Sequence, residues 1–257
     1  MAEGTGTVRV DPEGRGVAVS WDRPPVNVFD IGLLDALAAA VRTERVRSAP
    51  FVVLRGAHHR WSAGFAVEDH LAPRLGDMFG AFRRLLDGLW EIPGPTLAAV
   101  EGPCLGGGLE ILAPCDLAVA SSSASFGQPE IRLGVFPPLA AAIHPGLLGP
   151  KRSADLLLLG ETQSADAAKQ IGLVSRVFPD EAFLSSVEGL VKHLGSLRPE
   201  TLALLKGAMR GDGRPPWAGL ARAEQIYRER LLHLPEAEEG LRAFLEKRSP
   251  IWPVAPR

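Results

Sequence analysis

Three short apolar runs constrain the fold of this chain most. FVVLRG (residues 51–56), TLAAVEG (96–102) and DLAVAS (116–121) follow Pro50, Pro95 and Pro114, and each is too short for a core helix but suits a buried strand. Helical patterns lie between them. Residues 75–90, LGDMFGAFRRLLDGLW, form an amphipathic segment stopped by Pro93 and Pro95, and a second helix is predicted from about Gly107 to Ala113, closed by Pro114. Strand, helix and strand thus recur without close sequence repetition. The fold class is α/β, with helices packed against a sheet system.

The flanking segments extend this plan. Residues 7–21 alternate polar and apolar around Pro12-Glu13-Gly14, the pattern of a hairpin, and Arg23-Pro24-Pro25 breaks it. Asp30 is placed to cap the helix that follows. Beyond Gly149 come KRSADLLLLG, helical, then ETQSADAAKQIG, a helix capped by Ser164, and LVSRVFP, a closing strand. From Asp180 onward no strand is predicted, and three amphipathic helices are: PETLALLKGAMR, LARAEQIYRERLLHL and PEAEEGLRAFLEKR. At 257 residues this gives an α/β core over 1–195 and a helical region over 196–257, expected to pack on a neighbouring subunit.

Charge narrows the function. Lys and Arg total 28 against 30 Asp and Glu, so there is no broad basic field for nucleic acid. No basic segment leads into an apolar stretch at the N-terminus, and no run of about 18 apolar residues suggests a membrane helix. A cytoplasmic protein with no membrane partner is expected. Cys104 and Cys115 lack metal-site spacing and read as small buried thiols. His58, His59, His70 and His144 include no HExxH pair, no GxSxG elbow is present, and no metal is expected. His70 and His144 remain candidates for pocket lining. Asp116 suits a structural hydrogen bond, and Trp61 and Trp90 suit the core.

The stretch from Leu105 to Glu130 holds the chemistry. Gly106, Gly107 and Gly108 open a helix, where free N–H groups favour an anion. Phosphate fits poorly: the P-loop Lys and Ser/Thr are replaced by Leu109 and Glu110, and the dinucleotide pattern lacks its third glycine. A transient oxyanion on a neutral carbonyl fits better, each aligned donor contributing about 3 to 4 kcal/mol in the transition state. Two carboxylates facing one small space, Glu110 and Glu130, would part in pKa, one holding a proton while the other ionises. The residues alone leave open a plainer reading, a helix N-terminal charge and an ordinary loop acid.

AAVEGPCLGGGLE, CDLAVAS, FGQPEIRLGVFP, SADAAKQIGLVSRVFP and EGLRAFLEKRSP, in this order across residues 23–252, resemble the enoyl-CoA hydratase or crotonase superfamily. The resemblance implies a crotonase-like spiral of ββα repeats with a C-terminal helical oligomerisation region, assembling as trimers often paired into hexamers. It implies an enzyme that hydrates an acyl-CoA thioester, with coenzyme A part of the substrate and no separate cofactor. By position, Glu110 would be the base towards water and Glu130 the acid towards the substrate α-carbon. The backbone N–H groups of Phe65 and Gly107 would form the oxyanion hole, and Gln128 would stand beside the acid. Coenzyme A would lie along Pro25, Val26, Ala63, Phe65, Ala66 and Val67, with Lys247 reaching its phosphates across a subunit boundary. Isomerisation of a double bond, or CoA binding without turnover, are the alternatives.

Two departures from the family pattern bear on substrate. Phe65 replaces a small residue in Ala63-Gly64-Phe65-Ala66, and a PLAAAIHP turn replaces a glycine-rich one after Phe136-Pro137. Within the superfamily, RLGVF with this alanine-rich segment, the VEDH turn and the GLRAFLEKRS tail are most similar to cyclohexa-1,5-diene-1-carbonyl-CoA hydratases, which yield 6-hydroxycyclohex-1-ene-1-carbonyl-CoA. An unmodified short-chain crotonase is not expected.

Overall fold

The computed structural model describes residues 6–253. Its strands are β1 (Thr7–Glu13), β2 (Gly16–Asp22), β3 (Val52–Gly56), β4 (Thr96–Val100), β5 (Pro103–Leu105), β6 (Leu117–Ser121), β7 (Ser125–Gly127), β8 (Gln163–Ser164) and β9 (Arg176–Phe178). The larger sheet runs β1-β2-β3-β4-β6-β9, and every pair after the β1–β2 hairpin is parallel. A smaller sheet runs β5-β7-β8. Single bridges, Phe29 to Phe65 and Ser62 to Cys104, continue this second layer upstream. Successive turns of the chain therefore lay one strand in the large sheet and a short extended piece beside it, the spiral of a crotonase fold.

The helices are α1 (Ile31–Val41), α2 (Glu44–Arg47), α3 (Leu75–Trp90), α4 (Gly107–Glu110), α5 (Pro138–Leu148), α6 (Pro150–Leu159), α7 (Ala165–Ile171), α8 (Phe183–Ser196), α9 (Pro199–Met209), α10 (Leu220–Glu229) and α11 (Pro235–Leu245). Asp30 Oδ1 accepts from Leu33 N–H at 2.7 Å and caps α1, and Ser164 Oγ accepts from Ala167 N–H at 3.3 Å and caps α7. The central strands are buried on both faces, as a parallel sheet between helix layers requires. Val52, Leu54, Ala98 and Val100 share a core with α1 and α3, while Val53, Leu97, Ala99 and Val119 meet Phe183, Val187, Val191 and Leu194 of α8 on the other side.

Three expectations need correction. The region after Asp180 contains α8 in addition to the three tail helices. Its apolar residues recur at helical spacing, but the intervening Ser, Gly and His weaken the stripe. The PLAAAIHP segment is the body of α5, started by Pro138, rather than a turn. The glycine helix ends at Glu110, earlier than expected.

Candidate active site

Strand β5 delivers the chain to Gly106, whose φ of 52° is open to glycine at little cost. Each glycine makes room for a different neighbour. A methyl group on Gly106 would lie 2.6 Å from Glu130 Oε1, one on Gly107 would run into the Phe65 ring, and one on Gly108 would lie 2.9 Å from Ser62 Cβ. Buried Trp61 fixes the helix from below, its Nε1–H donating to Gly108 O at 2.7 Å. The run is therefore a point of contact between α4, the Ser62–Phe65 segment and the acid at Glu130.

The backbone donors follow from strand geometry. Phe29 N–H donates to Gly64 O at 2.8 Å and Ala66 N–H donates to Phe29 O at 2.9 Å, so Phe65 sits between these bonds with its own N–H turned away from Phe29. Gly107 is the first residue of α4, where an N–H has no partner within the helix. The two segments touch: a Cβ on Gly64 would lie 3.8 Å from Gly107 N.

Glu110 is 1 % exposed, and its Oε1 accepts the Ala140 N–H of α5 at 2.8 Å. Burial pushes its carboxyl up to about 7 against the lowering effect of that bond and of Leu139 N–H. Glu130 lies in the single-turn helix Pro129–Leu133. Burial first, and then the nearby Glu110, push it up to about 8. Gln128 is fully buried next to it and, with its amide nitrogen facing the carboxylate, donates to Glu130 Oε2 at 3.1 Å and to Oε1 at 3.2 Å.

Two cavities meet here. An outer cleft of about 560 Å³ is lined by Pro25, Val26, Ala63, Ala66 and Val67, together with Phe65, Gly106 and Glu130. An inner cavity of about 10 Å³, room for about one water centre, is lined by Glu110, Glu130, Phe65, His70, the side chains of Met78, Phe79, Phe82, Phe136, Leu139 and Leu220, and Glu224. Both acids thus face a space that fits one water, next to backbone donors where the outer cleft ends. Lys247 is exposed, beyond Phe244, which lines the cleft; Lys247 itself is not among the cleft's lining residues. His70 lines both cavities and His144 neither. His144 lies buried in α5 with Nδ1 unpartnered, and burial lowers its pKa to about 4. Trp61 and Trp90 line neither cavity. Asp116 accepts from Thr96 N–H and Oγ1–H, both at 2.8 Å, and pairs with Lys206 and Arg210, a structural role.

Sequence reasoning missed Glu224 and Tyr227, both on α10. Glu224 joins the two acids at the inner cavity and pairs with Arg83 at 3.4 Å. Tyr227, fully buried, packs edge-on against Phe79 and Phe136, and its hydroxyl has no hydrogen-bond partner. The amphipathic spacing of α10 marks its buried face, but nothing in the sequence shows that this face covers the acids.

Comparison with known proteins agrees with this architecture. A family model for enoyl-CoA hydratase/isomerase matches residues 14–254. The chain is 32 % identical over 256 residues to a cyclohexa-1,5-dienecarbonyl-CoA hydratase of Thauera aromatica, covering 98 % of this chain and 99 % of that one. It is 29 % identical over 253 residues to a probable mitochondrial enoyl-CoA hydratase of Dictyostelium discoideum, covering 96 % and 90 %. An enoyl-CoA hydratase/isomerase structure from Pseudoalteromonas atlantica T6c superposes with a TM-score of 0.81 at 28 % identity, over 96 % of this chain and 99 % of that chain. The chain belongs to the enoyl-CoA hydratase/isomerase family, the crotonase superfamily.

Proposed function

We propose that the protein is a CoA-thioester hydro-lyase that adds water across an α,β-unsaturated acyl-CoA. One observation carries this reading: Glu110 and Glu130 border one water-sized cavity with their carboxyls raised to about 7 and about 8. Burial raises both carboxyls, so the pair shares a proton near neutral pH, and the family resemblance supports Glu110 as the one that takes the proton from water. Glu130 keeps its proton for the α-carbon. The oxygen of water bonds to the β-carbon as the double-bond electrons move toward the α-carbon and the thioester carbonyl. Phe65 and Gly107 N–H groups hold the negative charge on the thioester oxygen until protonation restores the carbonyl. Coenzyme A lies in the outer cleft along Pro25, Val26, Ala63, Ala66 and Val67, with no separate cofactor. Lys247 takes the phosphates of the CoA held by a neighbouring subunit.

The acyl group we assign is the cyclic dienoyl one. Here the water oxygen bonds to ring carbon C2, the electrons pass through the enolate into the second double bond, and the proton of Glu130 goes to C5 instead of the α-carbon. This leaves the double bond between C1 and C6 and gives 6-hydroxycyclohex-1-ene-1-carbonyl-CoA. The similarity to the Thauera relative supports it, as does the apolar ring of Phe65 where the outer cleft meets the inner cavity. Incubation with cyclohexa-1,5-diene-1-carbonyl-CoA, crotonyl-CoA and 3-methylglutaconyl-CoA, with mass detection of hydrated product, tests this. Preference for the cyclic thioester is expected, and preference for crotonyl-CoA would remove the assignment. We also assign residues 196–257 to trimer or hexamer formation in the cytoplasm, since Leu204, Leu205 and Met209 of α9 expose apolar side chains. Analytical ultracentrifugation tests the assembly.

A further inference from the structure

Among the described residues, Phe65, Glu130 and His70 line both the outer cleft and the inner cavity, and so form the neck where the two meet. Two of them already have roles in hydration. His70 has none.

Its position is fixed by the turn it ends. The single-turn helix Val67–His70 begins one residue after Phe65, across Ala66, and its buried Asp69 accepts from Ile31 N–H at 3.0 Å and from Arg74 Nε–H at 2.6 Å. His70 Nδ1 lies 3.1 Å from Ala66 O. A carbonyl oxygen only accepts, so Nδ1 carries the hydrogen. Burial lowers the ring's pKa, opposing Asp69 and Glu68, and keeps the imidazole neutral. The second nitrogen, Nε2, therefore holds a lone pair. The ring lies beside that of Phe65, tilted by 42° with centroids 6.4 Å apart. The inner wall it joins is mostly apolar, and Glu224 in it is paired with Arg83.

We infer that His70 is a further specificity-determining residue, its Nε2 accepting a hydrogen bond from a hydroxyl group on the acyl part of the thioester. This rests on the thioester reading above and adds to it the acyl feature that the neck recognises. A neutral acceptor on a fixed turn selects a hydroxylated acyl group over the same group without oxygen, and hydration generates such a hydroxyl.

The test compares binding of 6-hydroxycyclohex-1-ene-1-carbonyl-CoA with cyclohex-1-ene-1-carbonyl-CoA, and of 3-hydroxybutyryl-CoA with butyryl-CoA, by calorimetry. A Glu110→Gln background stops turnover during the measurement. In at least one pair the hydroxylated ligand binds about ten-fold tighter, the scale of one net hydrogen bond. Adding His70→Phe brings that ratio to about one, and His70→Gln, which keeps an acceptor, restores part of it. Nitrogen-15 NMR of the unsubstituted protein shows the proton on Nδ1, with the Nε2 signal moving when the hydroxylated ligand binds. A proton found on Nε2, or a ratio unchanged in His70→Phe, overturns the inference while leaving the thioester reading intact. No binding of any of the four thioesters overturns the thioester reading itself.

Discussion

Glu110 Oε1 accepts a hydrogen bond from the backbone N–H of Ala140 at 2.8 Å, joining the glycine helix to the start of α5. That bond restrains a carboxyl that burial pushes upward. Ala140→Pro, which removes the donor near the helix start, should raise the Glu110 pKa further. The ascending limb of the pH–rate profile is expected to move up by about one pH unit, measured as kcat/KM between pH 5 and 10.

In the unsubstituted protein the two acids act as a coupled pair. On the proposed mechanism, activity requires one proton between them, on Glu130. The profile of kcat/KM should be a narrow bell, rising as a group near 7 ionises and falling as a group near 8 loses its proton. A plateau continuing above pH 9 would contradict this assignment.

Gly106 stands against the acid. A methyl group there would meet Glu130 Oε1 at 2.6 Å at a residue whose φ is 52°. Gly106→Ala should lower kcat on the order of 100-fold, the cost of misplacing a catalytic group by about 1 Å. Circular dichroism should show the fold retained.

Both carboxyls hold protons more tightly in the folded chain than in the unfolded one. Folding therefore takes up protons between the ordinary Glu value near 4.5 and the raised values, and stability declines as pH rises through that window. Glu130→Gln removes its share of this loss. The variant should melt a few degrees higher than the parent at pH 9 and show no such gain at pH 4, by calorimetry.

How much of this could be read from the sequence depended on how local each signal was. Asp30, Ser164 and the proline-bounded strands declare themselves through caps and breakers within a few residues, and the hairpin and α3 follow from periodicity. α8 was masked by Ser, Gly and His within its stripe. The three glycines implied close approach, but their partners lie far along the chain: Glu130, Phe65 and Ser62. Glu224 and Tyr227 were not legible because α10 meets the site only through contacts distant in sequence, packing on α5 and reaching Phe79 and Arg83 of α3. An alanine-rich segment read as a turn proved to be the helix whose N–H holds Glu110, since Pro138 can both end one element and start the next.

In the proposed mechanism one water is activated between Glu110 and Glu130. Its most direct test is hydration of cyclohexa-1,5-diene-1-carbonyl-CoA and crotonyl-CoA in ¹⁸O-labelled water, read by mass spectrometry, for the parent, Glu110→Gln and Glu130→Gln. Labelled hydroxyacyl-CoA is expected from the parent, and a rate at least about 100-fold lower in each variant. Hydration at the parent's rate in either variant, or isomerised product with no label in the parent, would contradict the mechanism.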